Sequence, residues 1–160
     1  MRLCEWGRSE GIWVEAELGE VGGKDGAHAP GVRTDPAEAA TFVADTGVNS
    51  LAVAVGFSHA MTSQTAELDL ALIVRLRDAV PIPLVLHGSS GVPDASIAAA
   101  TRAGIWKVNI GTALNVAFTA GVRSRLEEPA VVDPRKYLAP ARDQVADTVA
   151  HYLRVVAGGA

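Results

Sequence analysis

The sequence predicts an α/β fold of four successive β/α units, half of an eightfold (β/α)8 barrel. Three observations carry this. Short apolar runs alternate with helical patterns along the chain, the arrangement expected of parallel strands with right-handed crossovers. Three of the runs are rich in Val, Ile and Leu and bounded by Gly or Pro, as in strands covered on both faces. The chain has 160 residues, whereas a complete barrel takes about 250.

The strand candidates are residues 12–18 (IWVEAEL), 50–56 (SLAVAVG), 82–88 (IPLVLHG) and 105–111 (IWKVNIG). The first helix is expected over 35–46, with Asp35 as N-cap, Pro36 at the first helical position and Gly47 as stop signal. Residues 68–79 place Leu68, Leu72, Ile73, Leu76 and Ala79 near one face, and Pro81 ends that helix. Residues 94–103 start with Asp94 as a candidate cap and stop at Gly104. A helix over 112–126 begins at Thr112, and 137–157 form a longer helix or a pair of helices. No linker divides the chain, so residues 1–160 are expected to form a single partial domain.

Composition narrows the function. The chain is 49% hydrophobic and 20% charged, with a formal net charge of -4. No Lys/Arg stripe is present, which argues against nucleic acid as a partner. No apolar run reaches the roughly 18 residues of a membrane span, and residues 1–11 lack the apolar core of a signal peptide. A single cysteine, Cys4, allows no internal disulfide and suits a reducing compartment. The expectation is a cytoplasmic protein that holds anions with local groups rather than through a global field.

Polar residues gather where the strands end, the position at which α/β folds bind ligands. Glu15 and Glu17 lie at the end of the first strand, His59 after the second, His87 at the end of the third, and Asn109 and Thr112 close the fourth. His59 and His87 are 28 residues apart, about one β/α unit, and neighbouring strands run about 4.8 Å apart. Two imidazoles so placed can share one ion, with Zn²⁺ favoured by neutral imidazole. The segments His87-Gly88-Ser89-Ser90-Gly91 and Asn109-Ile110-Gly111-Thr112 each pass from strand to helix. Their glycines can let backbone N–H groups face a phosphate, although each loop also reads as an ordinary turn. The glycine-rich stretch 19–31 is long for a βα loop, where 2–6 residues are usual. It reads as a lid carrying Asp25, a general acid or base, or as a plain surface loop. His28 and His151 read as solvent-facing. Lys24 and Lys107 lack the desolvated setting of a Schiff-base lysine.

Several of these segments resemble, in order and spacing, class II fructose-bisphosphate and tagatose-bisphosphate aldolases. They are VEAELGEVGG (14–23), SHA (58–60), PLVLHGSSGVP (83–93), KVNIGTALNVAFT (107–119) and DPRKYLAPAR (133–142). The resemblance implies the C-terminal half, the last four β/α units, of a TIM (β/α)8 barrel. It implies that His59 and His87 are two of three Zn²⁺-binding histidines and that Glu17 is a carboxylate near the metal that can hold a second ion. Gly88 and Ser90 fall in the loop for phosphate and a monovalent cation, Na⁺ or K⁺. Asn109 and Thr112, with Gly111 between them, hold the dihydroxyacetone phosphate moiety. Asp25 stands where the family carries an acidic lid residue, usually Glu. The implied substrate is a phosphorylated sugar, cleaved reversibly to dihydroxyacetone phosphate and an aldehyde, and the full-length family implies a homo-oligomer.

The sequence departs from the family at Ala60, Ser89 and Lys24, and more seriously by absence. The family's first zinc histidine follows a catalytic Asp, and no Asp-His pair occurs in this chain. The expectation is therefore an aldolase half inactive alone, or a non-catalytic phosphate-binding half-barrel that needs a partner half.

Overall fold

The computed structural model describes residues 2–18, 33–56, 67–128 and 130–158. Among these residues lie a four-stranded sheet and six α-helices. The strands are β1 (Glu15–Leu18), β2 (Ser50–Val53), β3 (Leu84–Leu86) and β4 (Ile105–Val108). The helices are α1 (Arg2–Ser9), α2 (Pro36–Thr46), α3 (Leu70–Ala79), α4 (Asp94–Ala103), α5 (Thr112–Leu126) and α6 (Pro134–Val156). Strand order is β1-β2-β3-β4, and all three pairings are parallel. A sheet whose spatial order follows chain order, with a helix in each crossover, is the arrangement of a barrel segment.

Alternation of side chains across the strands separates two faces. Leu51, Val53, Val55, Leu84 and Leu86 join Val43, Leu72, Ile73 and Leu76 in the main core, between the sheet and its helices. Ser50, Ala52 and Val85 alternate with these residues and so belong to the opposite face. A smaller cluster of Val92, Ile97, Tyr152 and Val155 seats α6 on α4. Gly121 permits α5 to lie against α6, because a Cβ there would sit 2.6 Å from the Ala141 Cα.

The helix boundaries have local causes. Asp35 caps α2 as expected, accepting from the N–H groups of Ala37 and Glu38, and Gly47 closes the helix at φ 66°. Asp69 caps α3 through the Leu72 N–H, so this helix starts two residues later than its apolar pattern suggests. Asp94 is not a cap: Pro93 holds that position and Asp94 is the first helical residue. Its carboxylate instead pairs with His151 at 2.9 Å, so His151 is half-exposed and tied to α4. The C-terminal segment is one helix of 23 residues with Pro140 inside it.

Three further expectations are corrected. A helix, α1, precedes the first strand; its Cys4 and Gly7 are buried one turn apart. The strands are three or four residues long, shorter at one end or both than the apolar runs that mark them. β2 and β3 are buried throughout, but β4 is an edge strand with Trp106 81% exposed. Pairing of β3 with β4 slips at Trp106: Leu84 faces Ile105, and Val85 faces Lys107. This bulge-like irregularity carries Lys107 onto the face of Val85.

Candidate functional site

Residues two apart on a strand share a face, so Glu15 and Glu17 project together from β1. Val85 lies opposite Ala52, which lies opposite Glu17. His87, two residues beyond Val85, therefore emerges on the same face, as does Lys107 through its register with Val85. The result is a polar cluster on the face turned away from the main core.

Glu15 is its centre. The Lys107 ammonium donates to Oε2 at 2.8 Å, and the Ser50 hydroxyl donates to the same oxygen at 3.2 Å. Oε1 lies 3.1 Å from His87 Nε2. Ser50 is buried and accepts from the Trp13 indole N–H at 2.9 Å. Partial burial pushes the Glu15 carboxyl upward, but the hydrogen bonds from Lys107 and His87, with the Lys107 charge, outweigh it and hold the group below its ordinary 4.5. The pair also describes the shape of the sheet. In a flat sheet β1 and β4 would stand about 14 Å apart, three strand spacings. Contact between Glu15 and Lys107 requires the sheet to curl, as half of a barrel does.

The other nitrogen of His87, Nδ1, lies 3.4 Å from Glu17 Oε1. Two donors held at about 2.0–2.2 Å by one tetrahedral Zn²⁺ are roughly 3.3–3.5 Å apart, so this pair fits two positions of a zinc shell. A lone pair facing a carboxylate at that distance is repulsive unless a cation or proton lies between them. Among the described residues no three His, Cys, Asp or Glu side chains converge on one ion position. The further donor expected from sequence, His59, lies outside the described residues, as do Asp25, Lys24, His28 and Ala60.

The two strand-to-helix loops meet. His87, Gly88, Ser90, Asn109, Ile110, Gly111 and Thr112 line one cleft of about 330 Å³. Gly88 adopts φ 65°, ψ 18°, a left-handed conformation that costs other residues more. The Ser90 hydroxyl accepts from the Ala113 N–H at 3.0 Å, tying the first loop to the first turn of α5. That 15-residue helix points its positive end at the cleft, which favours an anion there. Buried Ser89 hydrogen-bonds back to the Leu86 carbonyl at 3.3 Å, so it supports the loop from beneath.

Behind the cluster, buried Thr34 fastens two strand ends. Its hydroxyl donates to the Leu18 carbonyl at 2.7 Å and accepts from the Ala54 N–H at 2.8 Å. Its own N–H donates to the Ala54 carbonyl at 2.9 Å.

Ser50, Trp13 and Thr34 carry no sequence signal of a part in the site, and Lys107 is expected there only as a poor Schiff-base candidate. Lys107 is half-exposed and ion-paired, so it still lacks the setting of a Schiff-base amine. The signal it offered was a charged residue inside an apolar strand, which asks for a partner on a neighbouring strand.

The sequence model of the class-II fructose-bisphosphate aldolase family matches residues 1–159. Among solved structures, the YdjI aldolase of Escherichia coli K12 is similar at 35% identity and TM-score 0.76, over 97% of this chain and 52% of that one. A candidate fructose-1,6-bisphosphate aldolase of Coccidioides immitis is similar at 27% identity and TM-score 0.75, over 97% and 56% of the two chains. The fructose-bisphosphate aldolase of Campylobacter jejuni shares the fold at 22% identity and TM-score 0.74, over 94% and 53%. The chain thus spans about half the length of each structure it matches.

Proposed function

Because this chain belongs to the class II fructose-bisphosphate aldolase family, we propose that it supplies the phosphate grip and part of the zinc site of a ketose-bisphosphate aldolase. The observation that carries the reading is the convergence of His87 Nδ1 and Glu17 Oε1 at 3.4 Å, beside a cleft lined by Gly88, Ser90, Asn109, Gly111 and Thr112. His87 and Glu17 would hold Zn²⁺ together with His59. Bound zinc supplies a Lewis acid for the ketone oxygen of the substrate.

The remaining roles belong to the chain's own groups. The α5 N-terminus and the loop amides hold a phosphate of the sugar, with Ser90 and Thr112 as hydroxyl partners. Asn109, which follows β4 on the face of Lys107, orients the triose phosphate moiety by hydrogen bonding. Asp25 moves the proton at the nucleophilic carbon as general acid or base. At the loop of Gly88 and Ser90, Na⁺ or K⁺ serves in this reading as a counter-ion to the phosphate. Residues 1–160 act as half of a barrel, in a protein of the cytoplasm that assembles at full length as a homo-oligomer.

The 160-residue polypeptide has no Asp-His pair, so it is expected to bind zinc and sugar phosphate weakly and to turn over nothing alone. The test is zinc content by atomic absorption, with cleavage of fructose 1,6-bisphosphate assayed with and without EDTA. Zinc-dependent turnover by the chain alone would refute the incomplete-site reading. Absence of both zinc and phosphate binding would refute the site.

A further inference from the structure

We infer that Glu15 is a positioning residue: its carboxylate, clamped by Lys107 and Ser50, holds His87 in the tautomer with the proton on Nε2 and so turns the Nδ1 lone pair toward Glu17 and the ion site. This deepens the zinc reading and rests on it for the role of Nδ1, but not for the position of the proton.

A neutral imidazole has one N–H donor and one acceptor nitrogen, and both nitrogens of His87 face carboxylates. The two contacts are not equivalent. Nε2 lies 3.1 Å from Glu15 Oε1 in hydrogen-bonding geometry. Nδ1 lies 3.4 Å from Glu17 Oε1, beyond the usual N–H···O range of about 2.7–3.2 Å. The two acceptors also differ in rigidity. Oε2 of Glu15 is pinned by Lys107 at 2.8 Å and by Ser50 at 3.2 Å, and Ser50 is braced by Trp13 at 2.9 Å. Oε1 is thereby fixed against the ring. Glu17 is the more exposed of the two side chains, at 35% against 20%. A ligating nitrogen must be unprotonated, and a ligating histidine donates its other N–H to a carboxylate or carbonyl. Glu15 meets that requirement, and the strand register that brings Lys107 opposite Val85 supplies the clamp.

Glu15→Gln tests the assignment, because it changes charge and donor pattern at nearly constant shape. Lys107 and Ser50 are donors toward Oε2, so the glutamine would turn its carbonyl to them and its NH₂ to His87 Nε2. That nitrogen would then become the acceptor, and the proton would move to Nδ1. The measurement is a long-range ¹H–¹⁵N correlation on the metal-free chain labelled with ¹⁵N-histidine, at pH 8, with His87 identified by the signal lost in His87→Asn. The expected result is the Nε2–H tautomer in the parent chain and Nδ1–H in Glu15→Gln, with zinc affinity about 10–100-fold weaker in the variant by chelator competition. Far-UV circular dichroism checks that the variant folds. An Nδ1–H tautomer or an imidazolium in the parent chain overturns the inference whatever the metal does. So does a variant that keeps the parent tautomer and binds zinc within twofold of it. A tautomer that switches as expected in chains that bind no zinc leaves Glu15's hold on the ring established and refutes the zinc reading.

Discussion

Thr34→Val removes one hydroxyl oxygen from the fold and leaves the side-chain shape almost unchanged. That oxygen accepts from the Ala54 N–H at 2.8 Å and donates to the Leu18 carbonyl at 2.7 Å. Thr34 is 2% exposed and Ala54 4%, so water cannot readily replace the lost acceptor for Ala54. A buried polar group left without its partner costs about 1–3 kcal/mol. Ala54 falls toward the upper end of that range. Leu18, only partly buried, falls toward the lower end. The valine methyl recovers roughly 0.8 kcal/mol or less. The net loss is about 2–3 kcal/mol, or roughly 4–12 °C in Tm for a chain of this length. Urea unfolding followed by circular dichroism measures it, with the slope of the transition expected to be unchanged. Thr34→Ser keeps the hydroxyl and should retain most of the stability. A Thr34→Val midpoint within about 0.5 kcal/mol of the parent would mean that the clasp between the ends of β1 and β2 contributes nothing, and the argument from buried polar groups would fail here.

Three other outcomes follow from the same structure. Gly121→Ala should destabilise by about 1–3 kcal/mol, because overpacking against the Ala141 backbone outweighs the helix propensity gained; thermal melts read the sign. Asp35→Ala removes two cap bonds of 2.8 and 3.0 Å and should cost about 1 kcal/mol, measured by urea titration. The Glu15 carboxyl is held below its ordinary 4.5, so in that window the unfolded chain binds the proton more readily. Its contribution to stability is complete above pH 4.5 and is lost as the pH falls through the lowered native value. Glu15→Gln should therefore flatten the acid limb of a plot of stability against pH; an unchanged limb would refute this.

The fold was legible because each layer of signal agreed with the next. The runs around Leu51 and Leu84 are apolar on both faces because both faces are covered. Asp35-Pro36 and Gly47 mark a helix by local chemistry alone. Helix α1 was hidden because it is only 8 residues long and carries Gly7, a poor helix former, in its interior. The convergence of His87, Gly88, Ser90, Asn109 and Thr112 was legible because successive parallel strands set successive loops side by side. The Glu15 network was not. It depends on strand register, including a slip at Trp106, and register is a property of paired strands that no single segment carries. Asp94 shows the same limit on a smaller scale: it looks like a cap, but Pro93 takes that position and the carboxylate pairs with His151 on a distant helix.

The ion pair between Glu15 and Lys107 joins positions 92 residues apart in the chain, from the first strand to the last. No fragment lacking either edge strand can contain it, and no local folding event can form it. Closing a loop of that length costs entropy that must be met before the contact contributes anything. The arrangement of His87 thus needs both edge strands in place and is lost when either edge frays. A spectroscopic signal from that ring would report completion of the whole sheet rather than the order of any one part of it.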